Sequence, residues 1–173
     1  YRRYQFHLAG VYKAACSLGA DKVYGMKYGI EGLLKEEMLE LNVLLDDRMS
    51  IELLKRTPVQ LSGSCRYKLP DPDVDSTPFI KLFTLFDKYD ICALFYIGGN
   101  DSMDTIGKLA DYGAHIGSGI RFMGVPKTID NDIYGTDVTF GFHTAVDIAT
   151  EVIDRIHTTA GSHSRVMCIE IMG

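Results

Sequence analysis

Pro126-Lys127-Thr128-Ile129-Asp130-Asn131-Asp132 packs one cation, one hydroxyl and two carboxylates into a single short stretch. A carboxylate such as Asp130 can accept a proton from an attacking hydroxyl. Asp132 beside it can hold a divalent cation, which takes oxygen ligands. Lys127 can neutralise a phosphoryl group as a compact charge. The same composition also suits an Asx-rich surface turn, so the stretch alone does not choose. A second stretch adds another kind of chemistry. The uncharged run from Ile91 to Ile97 stops at Gly98-Gly99 and is followed by Asn100-Asp101-Ser102-Met103-Asp104. Such a run reads as a strand buried on both faces. The glycines let the chain turn sharply and approach a ligand. Asp101 or Ser102 then caps a helix, with Asp104 in its first turn. Free N–H groups and the dipole at such a helix start attract an anion. An ordinary strand-to-helix turn is the alternative, because short glycine motifs also occur without function.

These stretches need a scaffold, and the rest of the chain supplies its elements. Val11–Leu18 has helix composition with Gly19 as a stop. Lys22–Met26 reads as a short strand, and Gly29, Gly32 and Leu33-Leu34 as a turn and brief helix. Met38–Leu45 is ambiguous. Ser50–Lys55 reads as a helix ended by Pro58, and Ser62–Pro72 as a loop carrying Arg66 and Lys68. Phe79, Ile80, Phe83 and Phe86 have the spacing of an amphipathic helix over Thr77–Tyr89. The central strand follows, then a helix over Ser102–Tyr112 with Gly113 as its end, then a strand over Ile120–Val125. Phe140–Thr159 is the longest helix pattern, with Ala145, Ile148, Val152 and Ile156 on one stripe, widened by Val146 and Ile153. Gly161 is its expected C-cap. Val166–Met172 reads as a last strand. Alternating strands and helices predict an α/β fold: a mostly parallel sheet with helices on both faces. Ligands of such sheets sit beyond the carboxyl ends of the strands.

Composition narrows the function. A chain of 173 residues with 46% hydrophobic content can bury a sizeable core. A net charge of −5, with no basic run, argues against a nucleic-acid partner. Cys16, Cys65, Cys92 and Cys168 are scattered without a C-x-x-C pair, and Cys92 and Cys168 lie in apolar runs. Buried free thiols in a reducing, cytoplasmic setting account for this best. No run has membrane-spanning length, and Tyr1–Gly10 lacks a signal-peptide core. The chain starts at Tyr1 rather than Met, as a fragment does. His115, His157 and His163 have no metal spacing. His143 is at most a supporting residue near the site.

Taken together, Gly-Gly-x-x-Ser at Gly98–Ser102 and Pro-x-Thr-Ile-Asp-Asn-Asp at Pro126–Asp132 resemble the phosphofructokinase family. The resemblance continues through Gly141–Ala145, Asp154-Arg155, Ser162–Arg165 and Glu170–Gly173, and covers roughly residues 10–173. It implies a Rossmann-like donor domain truncated at both ends. Residues 1–9 have no counterpart, 10–138 form the donor domain without its first strand loop, and 139–173 begin the sugar-phosphate domain. It also implies phosphoryl transfer to the 1-hydroxyl of fructose 6-phosphate. Asp130 is the general base in matching position, and Thr128 holds the sugar and the transferring phosphoryl, beside Lys127. Asp132 supports the base and metal region. Gly98, Gly99, Asp101, Ser102 and Arg66 face the donor. Arg165 binds the sugar 6-phosphate, typically from a neighbouring subunit, so a homodimer or homotetramer is implied. Met172 and Gly173 contact the sugar. Mg²⁺ is the implied cofactor, with Asn100 and Asp132 as candidate ligands.

The donor implied is pyrophosphate. ATP-using relatives generally carry glycine where Asp101 and Lys127 stand here. A carboxylate where an α-phosphate would lie adds bulk and like charge against a nucleotide. Some ATP-dependent relatives share the lysine, so Asp101 discriminates better, and an ATP-dependent enzyme is the alternative. Asn100 stands where the family has a metal-binding aspartate, which weakens the metal assignment there, and Pro58-Val59 replaces a Gly-Gly pair. The first strand loop and a terminal arginine are absent, and that absence points instead to a non-catalytic fragment or regulatory subunit.

Overall fold

In the computed structural model, residues 2–57, 63 and 65–171 are described, with side chains from Tyr4 onward. The chain divides into two compact units, 1–125 and 126–173. The fold is α/β, as the alternation of elements implies.

The first unit opens with helix α1 (Arg2–Ser17), longer at its start than the helix expected from Val11. Strand β1 (Tyr24–Met26) pairs antiparallel with β2 (Met38–Glu40), Gly25 opposite Leu39, and the short helix α2 (Gly29–Leu34) lies between them. Helix α3 (Leu41–Leu44) continues from β2, so the ambiguous segment contains both states. Helix α4 (Arg48–Arg56) starts at Asp47, whose carboxylate accepts the Ser50 N–H at 2.6 Å. That bond satisfies one of the orphan donors of the first turn and holds the Asp47 carboxyl below its usual pKa. Ala9, Tyr12, Leu41, Leu45, Ile51 and Leu54 form a core where α1 meets α4. Tyr12 donates from inside it to the Leu45 carbonyl, 3.1 Å away.

A second core holds the residues that position the glycine turn. Helix α5 (Thr77–Lys88) buries Phe79, Leu82, Phe83, Leu85 and Phe86. Ile80 was expected on that stripe, but it is 56% exposed. Phe79, Leu82, Phe83 and Phe86 are spaced i, i+3, i+4, i+7, with Leu82 taking the place given to Ile80. Strand β3 (Ala93–Gly98), helix α6 (Asn100–His115) and strand β4 (Arg121–Pro126) follow. β3 and β4 are neighbours, and their ladder opens with Arg121 N–H donating to the Cys92 carbonyl. A helix between adjacent strands is the connection that parallel pairing requires. Leu94, Ile106 and Leu109 close the core over the phenylalanines, and Phe83 lies 5.8 Å from Phe122 between ring centres.

β3 differs from the expectation of two buried faces. Leu94 and Gly98 are buried, whereas Phe95 is 38% exposed. The second face borders a cavity of about 490 Å³ that α1 also lines, through Tyr4, Leu8 and Tyr12. Cys92 and Cys168 are exposed rather than buried, as is Cys16, and all four thiols are free. Cys92 precedes the first buried residue of β3, and Cys168 lies in the irregular segment 165–170. That segment was expected as a strand, but it finds no ladder neighbour among the described residues. A strand without one leaves its backbone groups unpaired.

The second unit is a loop followed by helix α7 (Phe142–Ser162). α7 runs past Gly161, the expected C-cap. It ends instead at a left-handed Ser164 (φ 49°), after which Arg165 N–H returns to the Ala160 carbonyl. Its stripe is present but not covered: Val146, Ile148, Val152 and Ile153 are 38–58% exposed. No helix among the described residues is long and apolar enough to cross a membrane.

Gly113 was read as the end of α6, yet it is buried inside a helix that runs to His115. A Cβ there would stand 2.9 Å from Phe122 Cε2 and 3.2 Å from Phe83 Cζ. Gly→Ala in an exposed helix gains about 1 kcal/mol. Gly113→Ala is expected to reverse that sign and destabilise by about 1–3 kcal/mol, through overpacking of the two rings. The denaturant midpoint at unchanged m-value measures it, and a stabilised variant would refute the packing role.

Candidate functional site

Two loops carry the residues singled out by type and spacing, one in each unit. In the first, β3 ends at Gly98 and α6 begins at Asn100, with Gly99 as N-cap. The cap expected from Asp101 or Ser102 is absent: no side chain caps this helix. The helix starts too early for either, and both fall within its first turn. Ser102 and Met103 donate their N–H groups to the Gly99 carbonyl. Gly98 has to be glycine, because a Cβ there would meet Ser102 Oγ at 2.0 Å. Asp104 is paired with Lys108, one turn on, at 2.9 Å.

The basic loop lies beside this turn. Leu69 is 1% exposed and sits in the core with Phe79 and Phe83. Its carbonyl accepts from Lys108 Nζ on α6 at 3.3 Å. That anchor brings Lys68 Nζ to 3.9 Å from the Asp101 carboxylate. Both side chains are exposed, so the pair contributes about 0–1 kcal/mol and its importance is its placement. Arg66 is exposed on the same loop. Gly98, Gly99, Asp101, Ser102 and the Arg66–Leu69 segment are thus collected at one end of β3. Lys108 went unnoticed in the sequence, which showed Lys68 only as part of a basic loop. Lys68 belonged to a cluster whose spacing says nothing about what it faces, while Lys108, four residues after Asp104, was a legible helix pair.

In the second unit the loop after β4 is closed on itself. Thr128 is buried, and its hydroxyl oxygen accepts the Asp130 N–H at 3.1 Å. Asn131 has a left-handed φ of 56°, a conformation asparagine tolerates better than most residues. It makes a reciprocal pair with buried Thr139: Asn131 N–H donates to Thr139 Oγ1 at 3.1 Å, and Thr139 N–H to Asn131 Oδ1 at 2.8 Å. The pair leaves Asp130 and Asp132 exposed on either side of a fixed residue. Lys127, at the loop's start, is half-buried. Arg165 is exposed beyond the end of α7. Met172 and Gly173 lie outside the described residues. Thr139 was missed in the sequence, where a threonine eight residues from an asparagine carries no signal.

A strand that delivers a glycine turn to a helix N-terminus, beside a basic loop, defines an α/β protein suited to holding an anion. Comparison with known proteins gives the family. The Phosphofructokinase family model matches residues 7–173, and the chain belongs to that family. It is 40% identical to an ATP-dependent 6-phosphofructokinase of Spirochaeta thermophila, over 96% of this chain and 44% of the relative. Over a shorter span it is 57% identical to a pyrophosphate–fructose 6-phosphate 1-phosphotransferase of Streptomyces coelicolor, covering 47% of this chain and 22% of that protein. The structure of a pyrophosphate-dependent phosphofructokinase from Nitrosospira multiformis superposes with a TM-score of 0.78 at 32% identity, over 91% of this chain and 39% of that one. The chain therefore spans less than half the length of the curated relative it matches over most of its own length.

The Asn131–Thr139 pair is the feature to perturb first. Thr139→Val keeps the shape and removes the hydroxyl. A lost hydrogen bond costs about 0.5–1.5 kcal/mol, so amide exchange at Asn131 should accelerate by up to about tenfold while α6 amides stay unchanged. Unaltered exchange at Asn131 would show that the pair does not hold the loop.

Proposed function

We propose that this chain is part of a phosphofructokinase that transfers a phosphoryl group from pyrophosphate to the 1-hydroxyl of fructose 6-phosphate. The product is fructose 1,6-bisphosphate, an intermediate of glycolysis. The observation that carries the donor assignment is the Asp101 carboxylate, standing exposed in the first turn of α6 with Lys68 beside it. A pyrophosphate held at Gly98, Gly99 and Ser102 ends before it reaches that carboxylate, whereas a nucleotide would bring a third phosphate against it. Arg66 and Lys68 supply cations on the donor side. Family membership supports the reaction class, and relatives named for either donor keep ATP as the second reading.

The sugar side rests on the clamped loop. Asp130 takes the proton of the sugar 1-hydroxyl as its oxygen bonds to the terminal phosphorus and the phosphorus–bridge bond breaks. Lys127 offsets charge on the transferring group, and Thr128 fixes the turn that presents Asp130. Arg165 binds the 6-phosphate across a subunit interface, with Met172 and Gly173 against the sugar, so the active form is a homodimer or homotetramer. Residues 10–138 form the donor domain, whose last loop reaches the sugar, and 139–173 begin the sugar-phosphate domain. The setting is cytoplasmic.

Mg²⁺ belongs to this chemistry. Among the described residues, no cluster of three or more His, Cys, Asp or Glu could hold a metal. Mg²⁺ in phosphoryl transfer takes one or two protein oxygens and completes its octahedron with water and phosphate oxygens. Single ligands, the Asp132 carboxylate and the Asn100 carbonyl, fit that mode. Bound there, the ion would offset negative charge on the donor oxygens.

Asp130→Asn is expected to lower kcat by about 10²–10⁴-fold in the complete protein, with fructose 6-phosphate binding close to intact. Retention of most of kcat would remove Asp130 from its role. Donor choice is measured as kcat/KM for pyrophosphate and for ATP. Wild type should prefer pyrophosphate, Asp101→Gly should raise relative ATP use about ten- to a hundredfold, and Lys127→Gly should mainly impair pyrophosphate. A wild-type preference for ATP rejects the pyrophosphate assignment.

A further inference from the structure

Three charged residues of α6 stand on one face of the helix. Asp101, Asp104 and Lys108 are spaced i, i+3, i+7, and the loop carrying Arg66 and Lys68 meets this face twice. Lys68 Nζ reaches the Asp101 carboxylate at 3.9 Å in the first turn. One residue along the loop, the Leu69 carbonyl accepts from Lys108 Nζ at 3.3 Å. At 1.5 Å per residue the two helix positions lie about 10 Å apart along the axis. One contact would leave the loop free to pivot, whereas two at different heights also fix its direction.

The two contacts are unequal. The Lys68 and Asp101 side chains are 71% and 87% exposed, so water and salt screen that pair. The Lys108 side chain is 23% exposed, and the Asp104 carboxylate also holds its ammonium, at 2.9 Å. Leu69 is 1% exposed, so its carbonyl depends on a donor within the protein. The neighbouring backbone does not supply one. Pro72 stands where a β-turn would provide the N–H, and proline has none. The next N–H, that of Asp73, donates to Asp71 Oδ1 at 3.1 Å. Lys108 meets the carbonyl instead.

We propose that Lys108 is a positioning residue for the phosphoryl donor: by holding the Leu69 carbonyl it keeps the Arg66 and Lys68 cations in register with the glycine turn. The proposal rests on the donor-site reading above. The Lys108 ammonium is already engaged by a carboxylate and a carbonyl, and it acts through the two cations that the loop carries. Asp104 orients it from the preceding turn. Without that ammonium the Leu69 carbonyl is buried and unmet, and the loop has to lift to reach water. Methionine at 108 keeps the apolar stem and loses the charge.

The experiment compares wild type, Lys108→Met, Lys108→Arg and Arg66→Ala in the complete protein. The first readout is independent of catalysis: the rate at which trypsin cuts after Arg66 and Lys68 without substrates. It is followed by peptide mass, with cleavage after Lys88 as the internal reference. The second is the affinity for Mg-pyrophosphate and for MgATP by calorimetry, beside the KM for fructose 6-phosphate. In Lys108→Met, cleavage at Arg66 and Lys68 should accelerate severalfold and affinity for the bound donor should fall about tenfold. The fructose 6-phosphate KM should stay within about twofold, because the sugar does not meet this loop. Lys108→Arg still presents N–H donors to both oxygens and should stay within about threefold of wild type in both readouts. Unchanged cleavage in Lys108→Met overturns the proposal, even if donor affinity falls, because Lys108 would then touch the donor directly. Equal donor affinity in wild type and Lys108→Met, with Arg66→Ala still weakened, overturns it while leaving the donor site in place. A parallel rise in donor and sugar KM also overturns it, because a general loosening of the fold would do the same. If Arg66→Ala binds the donor as tightly as wild type, or wild type binds neither donor, the donor-site reading falls and this inference with it.

Discussion

Burial of the aromatic face of α5 is the interaction on which the rest of the first unit depends. Phe79, Leu82, Phe83 and Phe86 are at most 6% exposed, and each fully buried side chain of this kind is worth roughly 1.5–3 kcal/mol. The surface ion pairs of this unit contribute about 0–1 kcal/mol each. The core therefore decides where β3 and α6 lie, and the glycine turn between them has no independent position. Leu94 fixes the strand, Ile106 and Leu109 fix the helix, and Gly98-Gly99 spans what is left. Leu69 extends the same control to the basic loop, since it is buried in that core while its neighbours Lys68 and Arg66 remain in water. A single apolar cluster thus sets the distance between the anion-attracting backbone and the cations that accompany it.

Electrostatics then works on a scaffold already fixed. The chain carries net charge −5, so long-range attraction does not deliver an anionic ligand. On the proposed reading recognition is local, from the N-terminal amides of α6 and from Lys68 and Arg66. Asp101 opposes them in the first turn, where a carboxylate also stabilises the helix through its dipole. On the proposed reading, one residue thereby favours the helix and restricts what the helix binds.

Legibility followed the strength of the local signal. The glycine turn, α5, α6, β4 and α7 were evident from apolar periodicity and from glycine and proline punctuation. The α7 boundary was misplaced because a left-handed serine, not a glycine, ends the helix. Gly113 was misread because a packing glycine and a terminating glycine look alike until Phe122 and Phe83 are in place. The residues 166–171 have strand composition, but composition supplies no partner strand. The family was readable from motifs in order. Links across the chain were not: Lys108 with the Leu69 carbonyl, and Asn131 with Thr139, join positions whose separation has no period.

The uncovered stripe of α7 has a consequence during synthesis. Domains form as units while the chain emerges amino-terminal end first. Both cores lie within residues 1–125, so the first unit can close before α7 has left the ribosome. The helix then appears as about 30 Å of amphipathic surface, at 1.5 Å per residue, with Val146, Ile148, Val152 and Ile153 facing water. In a growing polypeptide that stripe is apolar surface outside both cores.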